Sequence, residues 1–238
     1  MAIDRVLLVH GAWLGAWCWS ELQHELELRS IPSDAIDLPG HGASPLPPAD
    51  LTADADAVVR ALERVGENTL LVGHSYGGAV ITQAAARTTS VSHLLYIAAF
   101  ALDHGESVNG FLRSAPRHHV ELADAMVLND ERTATTLNES IAGELMYPTL
   151  NDDRRRVNLA RHCAQPTATM TQPVDGSPRV SIPSTYVLCR KDRLVHPAHQ
   201  EILATRCDTT VVLDTDHSPF IEDVHTVANI IEEIVTSK

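Results

Sequence analysis

One short stretch of this 238-residue chain has the residue types of a nucleophilic serine site: Gly73-His74-Ser75-Tyr76-Gly77-Gly78. A bare G-x-S-x-G arises by chance fairly often at ordinary glycine and serine usage. Here it follows an apolar run, Thr69-Leu70-Leu71-Val72, and opens a helical pattern from Ala79 to Ala86. That strand-turn-helix context forces the serine into strained backbone angles and lifts its hydroxyl clear of the strand. Gly73, Gly77 and Gly78 keep the neighbours of the bend small. A serine hydroxyl is a poor nucleophile at neutral pH. It needs a general base, and the base needs an orienting carboxylate.

Position chooses among thirteen histidines. His217 follows the run Thr209-Thr210-Val211-Val212-Leu213 and an Asp-Thr-Asp turn, just past the carboxyl end of a strand, where sites of open α/β sheets gather. Asp192 stands in the same relation to Ser184–Leu188. Asp103, after the run ending at Phe100, is the competing acid; Asp192 is preferred. Asp214 and Asp216 are too near His217 in sequence and suit turn or capping roles. The negative charge of a tetrahedral intermediate needs fixed donors. The Tyr76 amide, after the nucleophile, is one, and the Ala12 amide, in the loop His10-Gly11-Ala12-Trp13 where Gly11 lets the backbone turn inward, is the second. His10 reads as a hydrogen-bonded structural histidine.

Other clusters carry less. His118-His119 reads as a solvated pair. His196 and His199 have an i, i+3 spacing but no third ligand at usable distance and no H-E-x-x-H, so no metal is expected. Asp152-Asp153-Arg154-Arg155-Arg156 reads as a solvated helix start, acids first. Trp13, Trp17 and Trp19 read as core or pocket wall, and there is no phosphate-binding loop.

These residues require a scaffold of buried strands. Short runs that are apolar on both faces recur at Val6–Val9, Ala35-Ile36, Thr69–Val72, Leu94–Ile97, Ser184–Leu188 and Thr209–Leu213. Helical patterns fall near 17–29, 51–65, 76–87, 197–205 and 218–235, with Thr52 a candidate N-cap and Val224, Val227, Ile230, Ile231 and Ile234 on one stripe. Alternation of this kind predicts an α/β fold, a mostly parallel sheet of about six strands with helices on both faces. From 103 to 182 no convincing strand is seen, and helix-like pieces are broken by prolines. This stretch is expected to be a helical cap inserted into a core formed by 1–102 and 183–238. Its apolar side chains, among them Phe111, Leu112, Leu122, Met126, Leu145, Met146 and Tyr147, are expected pocket wall.

Composition narrows the partner. With 18 Lys plus Arg against 31 Asp plus Glu, the formal charge is −13, which excludes a basic nucleic-acid footprint and disfavours anionic membranes. Hydrophobic residues at 44% give enough core for an ordinary globular domain. Cys18, Cys163, Cys189 and Cys207 are scattered with no C-x-x-C pair, as expected of reduced thiols. No basic leader with an apolar core precedes Arg5 and no apolar run approaches about 20 residues, so a cytoplasmic, soluble protein is expected.

Three segments together, Leu7-Leu8-Val9-His10-Gly11-Ala12-Trp13-Leu14-Gly15-Ala16-Trp17-Cys18-Trp19, Asp37-Leu38-Pro39-Gly40-His41-Gly42 and Gly73–Gly78, resemble the α/β-hydrolase superfamily. More narrowly, with Tyr96-Ile97-Ala98-Ala99-Phe100 and Cys189-Arg190-Lys191-Asp192, the chain resembles the methylesterase and hydroxynitrile lyase branch, known from plant salicylate and jasmonate methylesterases and their bacterial relatives. The resemblance spans about residues 5–102 and 184–236; the cap matches poorly. It implies Ser75 as nucleophile, His217 as base, Asp192 as its orienting acid, the Ala12 and Tyr76 amides as oxyanion hole, and no cofactor. The branch often dimerises through its cap, so a homodimer is an expectation. Its lyases carry Thr where this chain has Gly11, and Lys after the catalytic histidine, where this chain has Ser218. A threonine there would crowd the oxyanion site and bind the substrate hydroxyl, and a lysine would stabilise departing cyanide. Lacking both, the chain reads as a serine carboxylesterase for a small or medium, largely apolar ester, with Gly11, Trp13, Phe111, Met126, Met146 and Tyr147 expected around the substrate. The rival readings are a lyase or other non-hydrolytic enzyme using the same three residues, and a ligand-binding receptor on a hydrolase scaffold.

Overall fold

Strands with apolar side chains on both faces are buried where this chain stacks them beneath helices, at residues 6–9 and 94–97 and at Thr69–His74 and Ser184–Cys189. The edge strands Ser33–Ile36 and Thr209–Leu213 are partly exposed, Val212 by 43%. A computed structural model describes residues 3–237. Met1 and Ala2, part of the stretch read as lacking a leader, and Lys238, the expected end of the core, lie outside the described residues. In chain order come β1 (Arg5–Val9), a 3-10 turn (Ala16–Trp19) running into α1 (Ser20–Leu28), β2 (Ser33–Ile36), α2 (Leu51–Val65), β3 (Thr69–His74), α3 (Gly77–Ala85) and β4 (Val91–Ile97). Between β4 and the next sheet strand lie α4 (Val108–Ser114), α5 (Leu122–Ala125), β5 (Met126–Leu128), β6 (Ala134–Leu137), α6 (Glu139–Met146), α7 (Asp152–Leu159), β7 (Gln165–Pro166) and α8 (Thr167–Thr171). The chain then completes the sheet with β8 (Ser184–Cys189), α9 (Pro197–Ala204) and β9 (Thr209–Leu213), and ends in α10 (Pro219–Glu222) and α11 (Val224–Thr236).

The sheet has six strands in the order β2-β1-β3-β4-β8-β9, with every neighbouring pair parallel. Alternate strand residues face opposite sides. Leu7, Val9 and Leu71 pack with α2 and α3, while Val6, Leu8, Leu70 and Val72 pack with α1 and α11. The chain leaves β1 toward one edge and returns through β3 to build the other. The carboxyl ends of β1 and β3 therefore flank the point where the winding reverses, the position of the binding crevice in open α/β sheets.

Two expectations need correction. The insertion is not purely helical: β5, β6 and β7 form a small antiparallel sheet. These strands are two to four residues long, too short to show alternation in sequence. Thr52 does not cap α2. Asp50 does, its carboxylate accepting from the Ala53 amide, while the Thr52 hydroxyl accepts from Gln83 and Gln172. The helix begins one residue after a better cap, and a carboxylate also complements the N-terminal dipole. All four cysteines are free, and no helix among the described residues is long and apolar enough to cross a membrane.

Candidate active site

Ser75 follows directly on β3 and has φ of 53°, a left-handed conformation costly for any residue with a Cβ. Gly77 is needed to tolerate it, because a Cβ there would lie 2.7 Å from the carbonyl oxygens of both Val9 and His10. The register pairs Val9 with Gly73, so the loop after β1 runs alongside this turn. Gly11 is small for that reason rather than to bend inward: its φ is not left-handed, but a Cβ on it would stand 2.9 Å from both the Ser75 Cβ and His74 Nδ1.

Asp192 and His217 meet across 25 residues of sequence. The ring Nδ1 lies 2.6 Å from Asp192 Oδ2, both side chains being almost completely buried. The carboxylate accepts a hydrogen bond from Nδ1–H, which keeps the proton on that nitrogen and leaves Nε2 with the free lone pair. The acid is itself fixed. Its Oδ1 accepts from the amides of Leu194 (2.7 Å) and Val195 (2.9 Å), and its Oδ2 accepts from Gln200 Nε2 (2.8 Å). The competing acid, Asp103, is excluded from this role: it is held by Arg179 and Arg206.

His74 joins the elbow to this pair. Its Nε2–H donates to the His217 carbonyl at 3.0 Å, and the two rings stand 4.5 Å apart. Burial, then the neighbouring His217, hold the His74 imidazole well below the usual histidine range, so it is neutral. Among the described residues no hydrogen bond joins Ser75 Oγ to the His217 ring; nucleophile–base contacts of this kind often tighten only with substrate bound. Neither the Ala12 nor the Tyr76 amide donates to a protein acceptor among the described residues.

A cavity of about 380 Å³ includes Ser75, Tyr76, Ala12 and Trp13 in its lining. Phe100, Leu112, Leu122, Met126, Met170 and Leu194 contribute to its wall, and among the described residues no charged side chain does. Trp13 and Met126 are thus where the sequence put them. Phe111, Met146 and Tyr147 are not. In α4 the residues Val108, Asn109 and Leu112 face the cavity, and the helical period turns Phe111 away, onto Phe100 and His199. Met146 and Tyr147 are buried instead in a hydrophobic cluster that includes Leu14, Trp19 and Phe220, with the Tyr147 hydroxyl 2.8 Å from His162 Nε2. Leu145 is buried in that same cluster.

His10 is structural: Nδ1–H donates to the Gly11 carbonyl at 2.8 Å and Nε2 accepts from the Leu38 amide at 3.1 Å. Burial, the largest cause, lowers it to about 3. His118 and His119 are exposed, as read from the sequence; His118 also stacks on His196 at 4.1 Å, and His199 packs edge-on against both. Among the described residues no group of three or more histidine, cysteine, aspartate or glutamate side chains could hold a metal ion.

The alpha/beta hydrolase family model matches residues 6–230. The chain belongs to that family. A methylesterase-like branch of it fits. The hydrolase is 28% identical over 244 residues to the pFDCC methylesterase MES16 of Arabidopsis thaliana, covering 92% of this chain and 89% of that one. It is 25% identical over 239 residues to the pheophorbidase of Raphanus sativus, covering 92% and 89%. The fold matches the crystal structure of a pyrethroid hydrolase from Sphingobium faniae JZ-2 with a TM-score of 0.84 and 22% identity, covering 99% of this chain and 98% of that one.

Behind the elbow, this hydrolase buries an acid that sequence reading did not single out. Tyr76 Oη–H donates to Asp54 Oδ2 at 2.6 Å. Burial raises the Asp54 carboxyl from 3.8 to about 7, despite the tyrosine bond, which lowers it. An acid whose pKa is higher folded than unfolded binds more protons when folded. Its contribution to stability is complete below pH 3.8 and is lost as pH rises through about 7. Asp54→Asn is therefore expected to become more stable relative to wild type as pH rises from about 4 to 7.5, by a few kcal/mol across that window. Urea denaturation at several pH values measures it; a constant difference contradicts the assignment.

Proposed function

We propose that this hydrolase is a serine esterase for a small or medium, uncharged and largely apolar carboxylic ester. The observation that carries the reading is the Asp192–His217 pair, docked through His74 onto a left-handed Ser75 that opens into an uncharged apolar cavity. In this reading His217 Nε2 takes the Ser75 proton as Oγ attacks the ester carbonyl. The Ala12 and Tyr76 amides receive the oxyanion, and His217 returns the proton to the departing alcohol. Water, activated by the same imidazole, then hydrolyses the acyl-serine. The steps need no cofactor. A cavity without a charged wall cannot offset the desolvation of a free carboxylate, which favours neutral esters. Relatives that carry the name methylesterase support a small alcohol portion.

Lyase chemistry on the same residues is disfavoured at Gly11, where a threonine Cβ would stand 2.9 Å from Ser75 Cβ, and at Ser218, which offers no cation to cyanide. A fluorophosphonate probe is expected to add one phosphonyl group to Ser75, seen by peptide mass spectrometry, with loss of p-nitrophenyl butyrate hydrolysis. Tight binding of esters with no labelling would instead favour a receptor, and cyanide release from mandelonitrile faster than ester cleavage would favour a lyase.

A further inference from the structure

Trp13 has φ of 63°, the second strained non-glycine residue at this site, and it directly follows the Ala12 amide. Every polar atom of Trp13 is bonded to the segment inserted between β4 and β8. Its amide N–H donates to Gln165 Oε1 at 3.2 Å, its carbonyl accepts from the Cys163 amide at 2.8 Å, and its indole Nε1–H donates to the Thr135 carbonyl and hydroxyl, both at 3.2 Å. Among the described residues no hydrogen bond from within the β1 loop reaches Trp13.

Gln165 is the centre of the bracket. It is 1% exposed. Its Oε1 also lies 2.9 Å from His41 Nε2, in the loop after β2, and its Nε2–H donates to Thr169 Oγ1 at 2.8 Å, whose own proton goes to the Pro166 carbonyl at 2.6 Å. The amide orientation follows from these partners, since only the oxygen can receive the Trp13 N–H and only the nitrogen can serve a hydroxyl already donating elsewhere. We infer that Gln165 is a positioning residue for the oxyanion hole. By taking the Trp13 amide out of the site and holding the loop in its left-handed turn, it fixes the Ala12 amide at the cavity wall that Ser75 also lines. The inserted segment then sets the geometry of the reaction as well as the shape of the cavity. This rests on the esterase reading above.

The test compares Gln165→Met, near in volume but without a good acceptor for the Trp13 amide, with Gln165→Glu, which keeps an acceptor oxygen. Misplacing an oxyanion donor removes stabilisation made only in the transition state, so Gln165→Met is expected to lower kcat on p-nitrophenyl butyrate about 10²-fold with KM nearly unchanged. Inhibition by a trifluoromethyl ketone of the same acyl chain, whose adduct oxygen occupies the hole, is expected to weaken by the same factor, while the unfluorinated ketone binds as before. Gln165→Glu should recover most of the loss. Should Gln165→Met fail to fold, Thr169→Val, which lies outside the cavity wall, is expected to lower kcat several-fold at constant KM. Wild-type kcat in these variants, or a loss confined to KM that Gln165→Glu shares, overturns the inference. Ser75→Ala separates the two claims. An inactive Ser75→Ala beside a fully active Gln165→Met overturns the bracket alone, whereas an active Ser75→Ala overturns the esterase reading and the bracket with it.

Discussion

Ser75→Ala is expected to lower the turnover of p-nitrophenyl esters by roughly 10⁴- to 10⁶-fold without unfolding the protein. The size follows from what the proposed mechanism asks of one oxygen, which forms and breaks the covalent bond to the acyl group. Of the other polar side chains in the lining, the Tyr76 hydroxyl is bonded to Asp54, and among the described residues Asn109, Thr135 and Thr167 have no imidazole held beside them by a carboxylate. Stability should change little, because alanine keeps the Cβ that the left-handed turn already tolerates and Ser75 Oγ makes no hydrogen bond among the described residues. Residual turnover should match the partner variant His217→Ala, and the double variant should be no worse than either, since the two act as one unit. Matched kcat values measured on variants with wild-type melting temperatures would check this. Independent, additive losses would mean that Ser75 and His217 do not share a proton.

Much of this was legible before any coordinates, for an identifiable reason. Buried parallel strands are apolar on both faces and end in loops whose special residues stand out, so the inner strands, Ser75, His217 and the choice of Asp192 over Asp103 could be read from short runs and their flanks; the exposed edge strand β9 carries the same kind of run without the burial. What was hidden depends on partners distant in sequence. Gln165 meets Trp13 across 152 residues, and Tyr76 meets Asp54 across 22; neither spacing has a period. Asp54 sits in a helix whose other acids, such as Asp56, are solvated, and only burial distinguishes it. Gln200, which bonds Asp192, is likewise an ordinary helical glutamine until α9 packs on β8. His74 had a visible position, inside the G-x-S-x-G stretch, but its use as a clamp on the His217 carbonyl needs the loop after β9 to return to β3. The pocket wall failed for a simpler reason. Apolarity alone cannot tell a residue that faces a cavity from one that faces the core, and Phe111 and Leu112, adjacent in α4, divide between the two.

Asp192→Asn is expected to cost about 10⁴-fold in kcat while leaving the fold in place, and the reason is the direction of one proton. Asp192 presents only acceptors, and all are used: Oδ1 by the Leu194 and Val195 amides, Oδ2 by Gln200 and His217. An asparagine must direct its oxygen toward the two backbone amides, because its NH₂ cannot accept from them. That places the NH₂ where Oδ2 stood, against His217 Nδ1. The imidazole then meets a donor and holds its own proton on Nε2, the nitrogen that must be vacant to receive the Ser75 proton. The base is present, oriented and in the wrong tautomer. The loss should ease at high pH, where the serine no longer depends wholly on the imidazole, so the deficit measured at pH 10 should be smaller than at pH 7. Asp103→Asn, by contrast, breaks pairs with Arg179 and Arg206 and should leave kcat within about twofold of wild type. If Asp192→Asn keeps wild-type kcat at neutral pH while Asp103→Asn does not, the acid has been assigned to the wrong strand.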